Sequence, residues 1–473
     1  MRLEVAPGRT YVVRMPTVST QGLYRAAVGI LACVLLGLYL FSAFGLSENA
    51  DILRFNSSIF DMDVGRIVND WTTNGGGRRT HVHPLSKLAV APIGTALRFS
   101  GGLSGVDAAR WIAVVAMTLY ALLAGRLATQ LARGEPAPGL LATLVCGASF
   151  SCLLLASIPD TASVSGISTL VPLLYLNRRW GKRFTWGEGL VWSAIGLLSV
   201  AFTISQIVHW VIALGLRTAP DFGTPRRADR ALGRRRALVL APVVLLGAAT
   251  WGAANLQESL YPGTGRFYER RSPIDELRSF QRLESLSGTP VRHSFRLANH
   301  FVGVNYVAPF PGYSDFAIER WRQPYWSLSL EESRLEAWHP AQIALFGLWL
   351  LCLIPALFCL RRADRRFLAP LLCIASQFLM HLVYGREYIL YSSNWHGAVT
   401  AVLVAAVWNE RGSARRWIPP LALALSLGLA ANSLTVMQRV YSEVKVGLGQ
   451  SGRDAIGRPL APAPGLLESP IRP

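Results

Sequence analysis

Ionisable side chains are nearly missing from the apolar stretches that make up most of this chain, and lysine is scarce everywhere beside arginine. A charge at mid-bilayer costs roughly 2.5–3.5 kcal/mol or more, and ion or proton relays usually leave such groups there. Their scarcity argues against an ion-coupled carrier, as does the lack of the internal repeats that mark many transporters. No run alternates apolar and polar residues as a barrel strand would. No C-x-x-C pair occurs. The cysteines Cys33, Cys146, Cys152, Cys352, Cys359 and Cys373 fall in or beside apolar segments. They read as small buried hydrophobes rather than metal ligands or a disulfide framework. The triplet Gly75, Gly76, Gly77 lacks the spacing and the Lys-Ser/Thr of a phosphate-binding P-loop. The first apolar run lacks a convincing cleavage site, so it reads as a retained helix.

What is present is apolar length. Hydrophobic residues make up 51% of 473 positions, in repeated runs approaching the ~20 residues that span a hydrocarbon core. The expected fold is an all-α polytopic membrane protein. The net charge of +19 is carried largely by arginines in short links: Arg178, Arg179, Lys182 and Arg183; Arg226 to Arg236; Arg361, Arg362, Arg365 and Arg366; Arg411, Arg415 and Arg416. That placement follows the positive-inside rule and not a nucleic-acid surface.

These links set an expected topology. A cytoplasmic basic arm, 1–23, precedes a transmembrane domain over 24–435. Helices are expected near 24–46, 107–130, 138–157, 162–177, 237–257, 340–360, 367–384, 389–408 and 417–435. The segment 189–217 is long enough for one tilted helix, but two short helices broken at Thr203 to Gln206 keep the next arginine cluster inside. The total is about 11 transmembrane helices, with the N-terminus in the cytoplasm. Two large extracytoplasmic loops result, 47–106 and 258–338, and a Gly/Pro-rich tail, 436–473, reads as disordered.

The polar chemistry then sorts to the outer side. The stretch from Phe60 to Leu85 carries three aspartates, three arginines and two histidines. As a helix beginning near Ser58, it puts Asp63, Arg66 and Asp70 on one face and Asp61 on another. Phe60, Val64 and Ile67 would face lipid or protein. The bland reading is an amphipathic surface helix with an Asp63–Arg66 pair, worth little alone. Arg78, Arg79, His81 and His83 follow; with Asp61 and Asp63 the histidines would compose a metal site, but no ligand spacing supports one. Arg386 and Glu387 form either a snorkelling pair at the interface or a second binding shelf. Asp160 after Pro159 reads as a helix cap, with Ser163 alongside. The second loop is rich in aromatics, including Tyr261, Phe301, Tyr306, Trp321, Trp326 and Trp338, as suits sugar stacking or an interfacial belt.

This layout resembles the GT-C superfamily of integral-membrane glycosyltransferases, which includes protein O-mannosyltransferases and aminoarabinose transferases. The likeness rests on Asp63-Val-Gly-Arg66 in the first loop, on Thr80-His-Val-His83-Pro-Leu85, on Ser157-Ile-Pro-Asp160 and on Arg386-Glu-Tyr-Ile-Leu-Tyr391. It implies a sugar taken from a polyprenyl phosphate at the outer face of a bacterial cytoplasmic membrane and passed to an envelope acceptor. The family's catalytic acid aligns with Asp63 or Asp61. Here Val64 stands where the family has a second acidic residue, and the extra aspartate lies two places earlier. Arg66, Arg78, Arg79, His81, His83, Arg386 and Glu387 are the candidates for binding substrate and phosphate, since guanidinium forks suit phosphate. One carboxylate base without a nucleophile implies a single displacement with inversion. No cofactor or metal is required by that scheme. The rival readings are a flippase of lipid-linked saccharide and a noncatalytic subunit of a polysaccharide-assembly complex.

Overall fold

The computed structural model describes residues 20–46, 60, 62, 64–74, 82–182, 184–219, 232–266, 294, 297–314, 327–330, 338–383, 388–410 and 413–451. The described residues are helical almost throughout: α1 (Thr20–Leu40, prolonged by a π turn Phe41–Gly45), α2 (Val64–Thr72), α3 (Ser86–Phe99), α4 (Gly105–Leu131), α5 (Pro136–Ala148), α6 (Phe150–Ser157), α7 (Thr161–Arg178), α8 (Trp186–Phe202), α9 (Ile207–Thr218) and α10 (Leu232–Leu260). After the second loop come α11 (Pro340–Leu360), α12 (Leu368–Val383), a 3-10 segment (Tyr388–Asn394), α13 (His396–Asn409) and α14 (Ile418–Ser451). A two-stranded antiparallel ribbon, β1 (Gly312–Ser314) with β2 (Ser327–Ser329), pairs Tyr313 with Leu328.

Helix stands at each expected span, although the one expected from 389 begins at His396 after the 3-10 segment, and the first-loop helix expected from near Ser58 is described from Val64. Two further differences are clear. The last helix runs on to Ser451, past the boundary expected at 435. The first loop contains two helices, α2 and α3. Among the described residues, five helices are long and apolar enough to cross a membrane, and six if the bent pair α5–α6 is one span. The count of about 11 therefore exceeds what helix length and composition support. Several of the shorter helices are interrupted or rich in small polar residues, as in α7 with its serines and Pro172.

The core forms around α4, which packs on α1, α5, α6, α7 and α13. Its crossing with α5 is made by small residues at four-residue spacing. A Cβ on Gly125 would collide with Thr143 Oγ1 and the Gly139 carbonyl, and one on Gly139 would collide with Thr129 Oγ1. Thr129 and Thr143 donate to the carbonyls of Gly125 and Gly139 in their own helices, at 3.1 and 2.9 Å. No polar group is stranded, and the two backbones approach closely, as membrane helices without a strong hydrophobic drive require. Large apolar side chains such as Leu190, Val244, Trp251, Leu351, Phe358 and Leu427 remain exposed on the outside of the bundle. A surface of that kind suits lipid rather than water.

The break expected within 189–217 is present: α8 ends at Phe202 and α9 begins at Ile207, with a 3-10 turn Ile204–Gln206 between them. Backbone groups freed by such a break cannot face lipid. Here the first loop takes them, Ile204 N–H donating to Val82 at 3.1 Å and Leu85 N–H donating to Ala201 at 3.0 Å.

The arginine-rich links gather by ion pairing. Arg133 pairs with Asp364 at 3.6 Å, Arg362 with Glu410 at 3.0 Å, and Arg415 with Glu135. Glu188 on α8 holds Arg179 at 2.9 Å and Arg217 at 2.7 Å. The end of α7, the start of α8 and the end of α9 are thereby joined.

Candidate functional site

The site builds from the α2–α3 hairpin. Val64, Ile67 and Trp71 recur at helical spacing and are all buried, so the apolar face of α2 turns to protein and not to lipid. Phe60 and Met62 are buried just before it, and Phe60 packs edge-on against Phe150 at 6.4 Å. Phe60 N–H also donates to the Leu328 carbonyl at 3.0 Å, which ties the first loop to the β ribbon of the second. The end of α2 is fixed by Arg98, whose Nη1 donates to the Thr72 carbonyl at 2.8 Å. Gly94 lets α3 close on α2, for a Cβ there would strike the Trp71 carbonyl oxygen.

The polar face of this hairpin carries Arg66, Asp70 and Lys87. Arg66 Nη1 lies 3.8 Å from Asp70 Oδ2, one helical turn along α2. Lys87, in the first turn of α3, is 2% exposed. Its ammonium lies over the Tyr261 ring, 5.4 Å from the centroid, and has no hydrogen-bond partner among the described residues. Burial pushes the Lys87 pKa down, and the Asp70 charge opposes that shift. Two cations thus stand around one carboxylate, and one of them is desolvated with its donors uncommitted. That arrangement has the charge and the hydrogen-bonding capacity to take an anion.

His83 joins this hairpin to the helix break. Its Nδ1 lies 2.6 Å from the Phe202 carbonyl, so Nδ1 carries the proton and donates, while Nε2 lies 3.4 Å from Thr161 Oγ1. Thr203 Oγ1 is 3.3 Å from the same Nδ1. Gln257 adds a second clamp, donating to Pro84 O at 2.9 Å and accepting from Leu88 N–H at 3.0 Å.

Asp160 caps α7, accepting from Ala162 N–H at 2.9 Å, with Ser163 completing the capping box. Beyond the break, Gln206 bonds Ser168 and donates to Asn394 Oδ1 at 2.9 Å. Three outer links singled out in the sequence, 157–160, 203–206 and the Tyr388–Asn394 region, therefore meet beside the first loop.

No protein-family model matches this chain, and no curated protein matches it. Among the solved structures similar to it are two enzymes. The Archaeoglobus fulgidus oligosaccharyltransferase in its apo form is 12% identical with a TM-score of 0.47. The match covers 89% of this chain and 56% of that one, so the chain spans little more than half its length. ArnT from Cupriavidus metallidurans bound to undecaprenyl phosphate is 13% identical with a TM-score of 0.47, covering 92% of this chain and 80% of that one.

Of the residues expected to act, Arg66 and His83 are placed as above. Asp61, Asp63, Arg78, Arg79, His81, Arg386 and Glu387 lie outside the described residues. In the second loop, Trp321 and Trp326 lie outside them too. Phe301 is stacked on Trp395 and Tyr306 on Trp349, each with centroids 4.0 Å apart. Those two rings are packing residues of the bundle, whereas Tyr261 belongs to the Lys87 site. Sequence reasoning missed Lys87, although a signal was there: it is one of three lysines in the chain and interrupts the apolar segment after Pro84.

Proposed function

We propose that this protein is a membrane glycosyltransferase of the GT-C type, taking its sugar from a polyprenyl-phosphate donor at the outer face and passing it to an envelope acceptor. The carrying observation is the buried Lys87 ammonium, which has no hydrogen-bond partner among the described residues and feels the charge of Asp70, itself paired with Arg66. A phosphate on a lipid tail would supply the missing acceptors, and Arg66 would hold the second oxygen edge. Tyr261, whose ring already packs on the cation, closes the apolar side.

In the proposed reaction the acceptor hydroxyl oxygen attacks the anomeric carbon. The bond from that carbon to the phosphate oxygen breaks, and the phosphate leaves with the electron pair. A carboxylate, Asp63 or Asp61, takes the hydroxyl proton. The cations stabilise the charge gathering on the leaving phosphate. One displacement gives inversion. In this reading the arginine-rich ends face the cytoplasm.

The test uses membranes holding the full chain and a polyprenyl-phosphate sugar. Replacing the general base, Asp63→Asn or Asp61→Asn, is expected to cut turnover by about 10²–10⁴. Lys87→Met and Arg66→Gln are expected to raise the donor KM by roughly tenfold or more, because each removes a charge-assisted hydrogen bond. Full transfer by both aspartate variants would sink the assignment. Transport of the lipid-linked sugar across vesicles without any glycosidic product would favour the flippase instead.

A further inference from the structure

The 60° bend between α5 and α6 holds a cluster that the proposed transfer reaction does not use. Cys146 lies two residues before the end of α5, Cys152 in the first turn of α6, and His396 opens α13. All three are fully buried. The Sγ atoms of Cys146 and Cys152 are 3.7 Å apart, and the two thiols and a His396 ring nitrogen all lie within 4.8 Å of one another. At 3.7 Å the sulfurs are far from a bond of about 2.05 Å. A tetrahedral ion with Zn–S bonds of about 2.3 Å sets its two sulfurs about 3.8 Å apart.

The histidine supplies the independent observation. Neither His396 ring nitrogen makes a hydrogen bond of ordinary geometry among the described residues, and the ring is wholly buried. Its face is occupied by Tyr306, 4.3 Å away between centroids. The ring bears on the Cys152 thiol without a well-formed hydrogen bond, which is costly for a buried imidazole. A metal would engage one nitrogen directly.

We infer that Cys146, Cys152 and His396 bind one Zn2+ ion that pins the α5–α6 bend to α13. Charge balance selects the ion: two thiolates and a neutral imidazole around a divalent cation sum to zero. A neutral centre is tolerable in a low-dielectric interior, whereas the same ligands around a monovalent ion would leave a net negative charge there. Binding releases both thiol protons. The fourth position would fall to a small oxygen donor such as water, for the neighbouring Tyr39 hydroxyl is already committed, donating to the Gly147 carbonyl at 2.9 Å. The role is structural: Ser149, the residue at the bend, already accepts from Cys152 N–H at 3.4 Å and donates to the Cys146 carbonyl at 2.6 Å. The ion would fix that turn from the side-chain face.

The experiment is elemental analysis of the purified full chain in detergent, prepared without chelator. About one zinc per chain is expected in the wild type. Cys146→Ser, Cys152→Ser and His396→Ala are each expected to lose most of it, while Cys373→Ser, at a buried cysteine on α12, keeps it. Protein loaded with Co2+ is expected to show tetrahedral d–d bands and a thiolate-to-metal charge-transfer band, which needs no variant to fold. Wild-type protein without zinc and without the cobalt spectrum overturns the inference. So does recovery of Cys146 and Cys152 as a disulfide after denaturing alkylation, or zinc that persists in all three ligand variants.

Discussion

Lys87 occupies a place that costs a charge dearly: buried, without a hydrogen bond among the described residues, in the field of Asp70 and over the face of Tyr261. The pH dependence of stability follows from that. Burial lowers the folded-state pKa below the ordinary 10.5. Between the lowered value and 10.5 the unfolded chain holds more protons than the folded one, so this group makes stability rise with pH. Below the lowered value both states are protonated and the full penalty stands. Lys87→Met is therefore expected to stabilise the ligand-free protein at neutral pH, by roughly 1–2 kcal/mol. That advantage should shrink as pH rises toward 10.5. Thermal unfolding in detergent across this range measures it, and added polyprenyl phosphate should reverse the order by stabilising the wild type alone. A variant less stable than wild type at neutral pH, with no ligand present, would mean the ammonium is already well paired.

The residue scale is also where the sequence was least legible. Arg66 and Asp70 were readable as neighbours because helical spacing puts them on one face, and the structure pairs them. Asp160 was readable as a cap because Pro159 and Ser163 frame it, and it caps. Lys87 was not readable as a site residue. Its significance comes from Gln257 and Tyr261, about 170 positions away, which no local pattern connects to it. The same holds for His396 and the two cysteines, whose spacing of six carries no metal signature until α13 closes on the bend.

At the scale of elements, the hairpin of α2 and α3 is what positions the cations, and its closeness depends on one position. At Gly94 a Cβ would meet the Trp71 backbone oxygen, which cannot swing away as a side chain could. Gly94→Ala is expected to force the helices apart, to cost about 1–3 kcal/mol, and to weaken donor binding through the displaced Lys87 and Arg66. Gly37→Ala on α1, where a Cβ would meet nothing within 4 Å, is the matched control and should change neither. Unfolding midpoints and donor KM for the two variants decide it, and equal behaviour would remove the hairpin from the site's support. The existence of the helices was legible from apolar length, and so was the break at Thr203, because charge on either side demanded it. The helical character of 86–99 was not, because Pro92 lies inside that helix and the flanking loop is polar.

At the scale of the whole molecule, the ion pairs define two unlike ends. Arg133–Asp364, Arg362–Glu410 and Arg415–Glu135 join three links at one end, two of them rich in arginine. The α2–α3 hairpin, the Asp160 cap and the Thr203 break meet at the far ends of the helices those links connect: α4 begins beside Thr72 and finishes at Leu131, one link from Arg133. The positive-inside rule predicts an orientation with these links in the cytoplasm, since arginine opposes translocation of the links that carry it. The expected outcome is a labelling asymmetry. In a Cys33→Ala background, a cysteine at exposed Asn74 should react with a membrane-impermeant maleimide in intact spheroplasts. One at Arg362, 79% exposed at its side chain, should react only after lysis. The reverse pattern would put Lys87 and Arg66 on the cytoplasmic side, where a donor presented at the outer face never arrives, and the phosphate site would then need a different substrate.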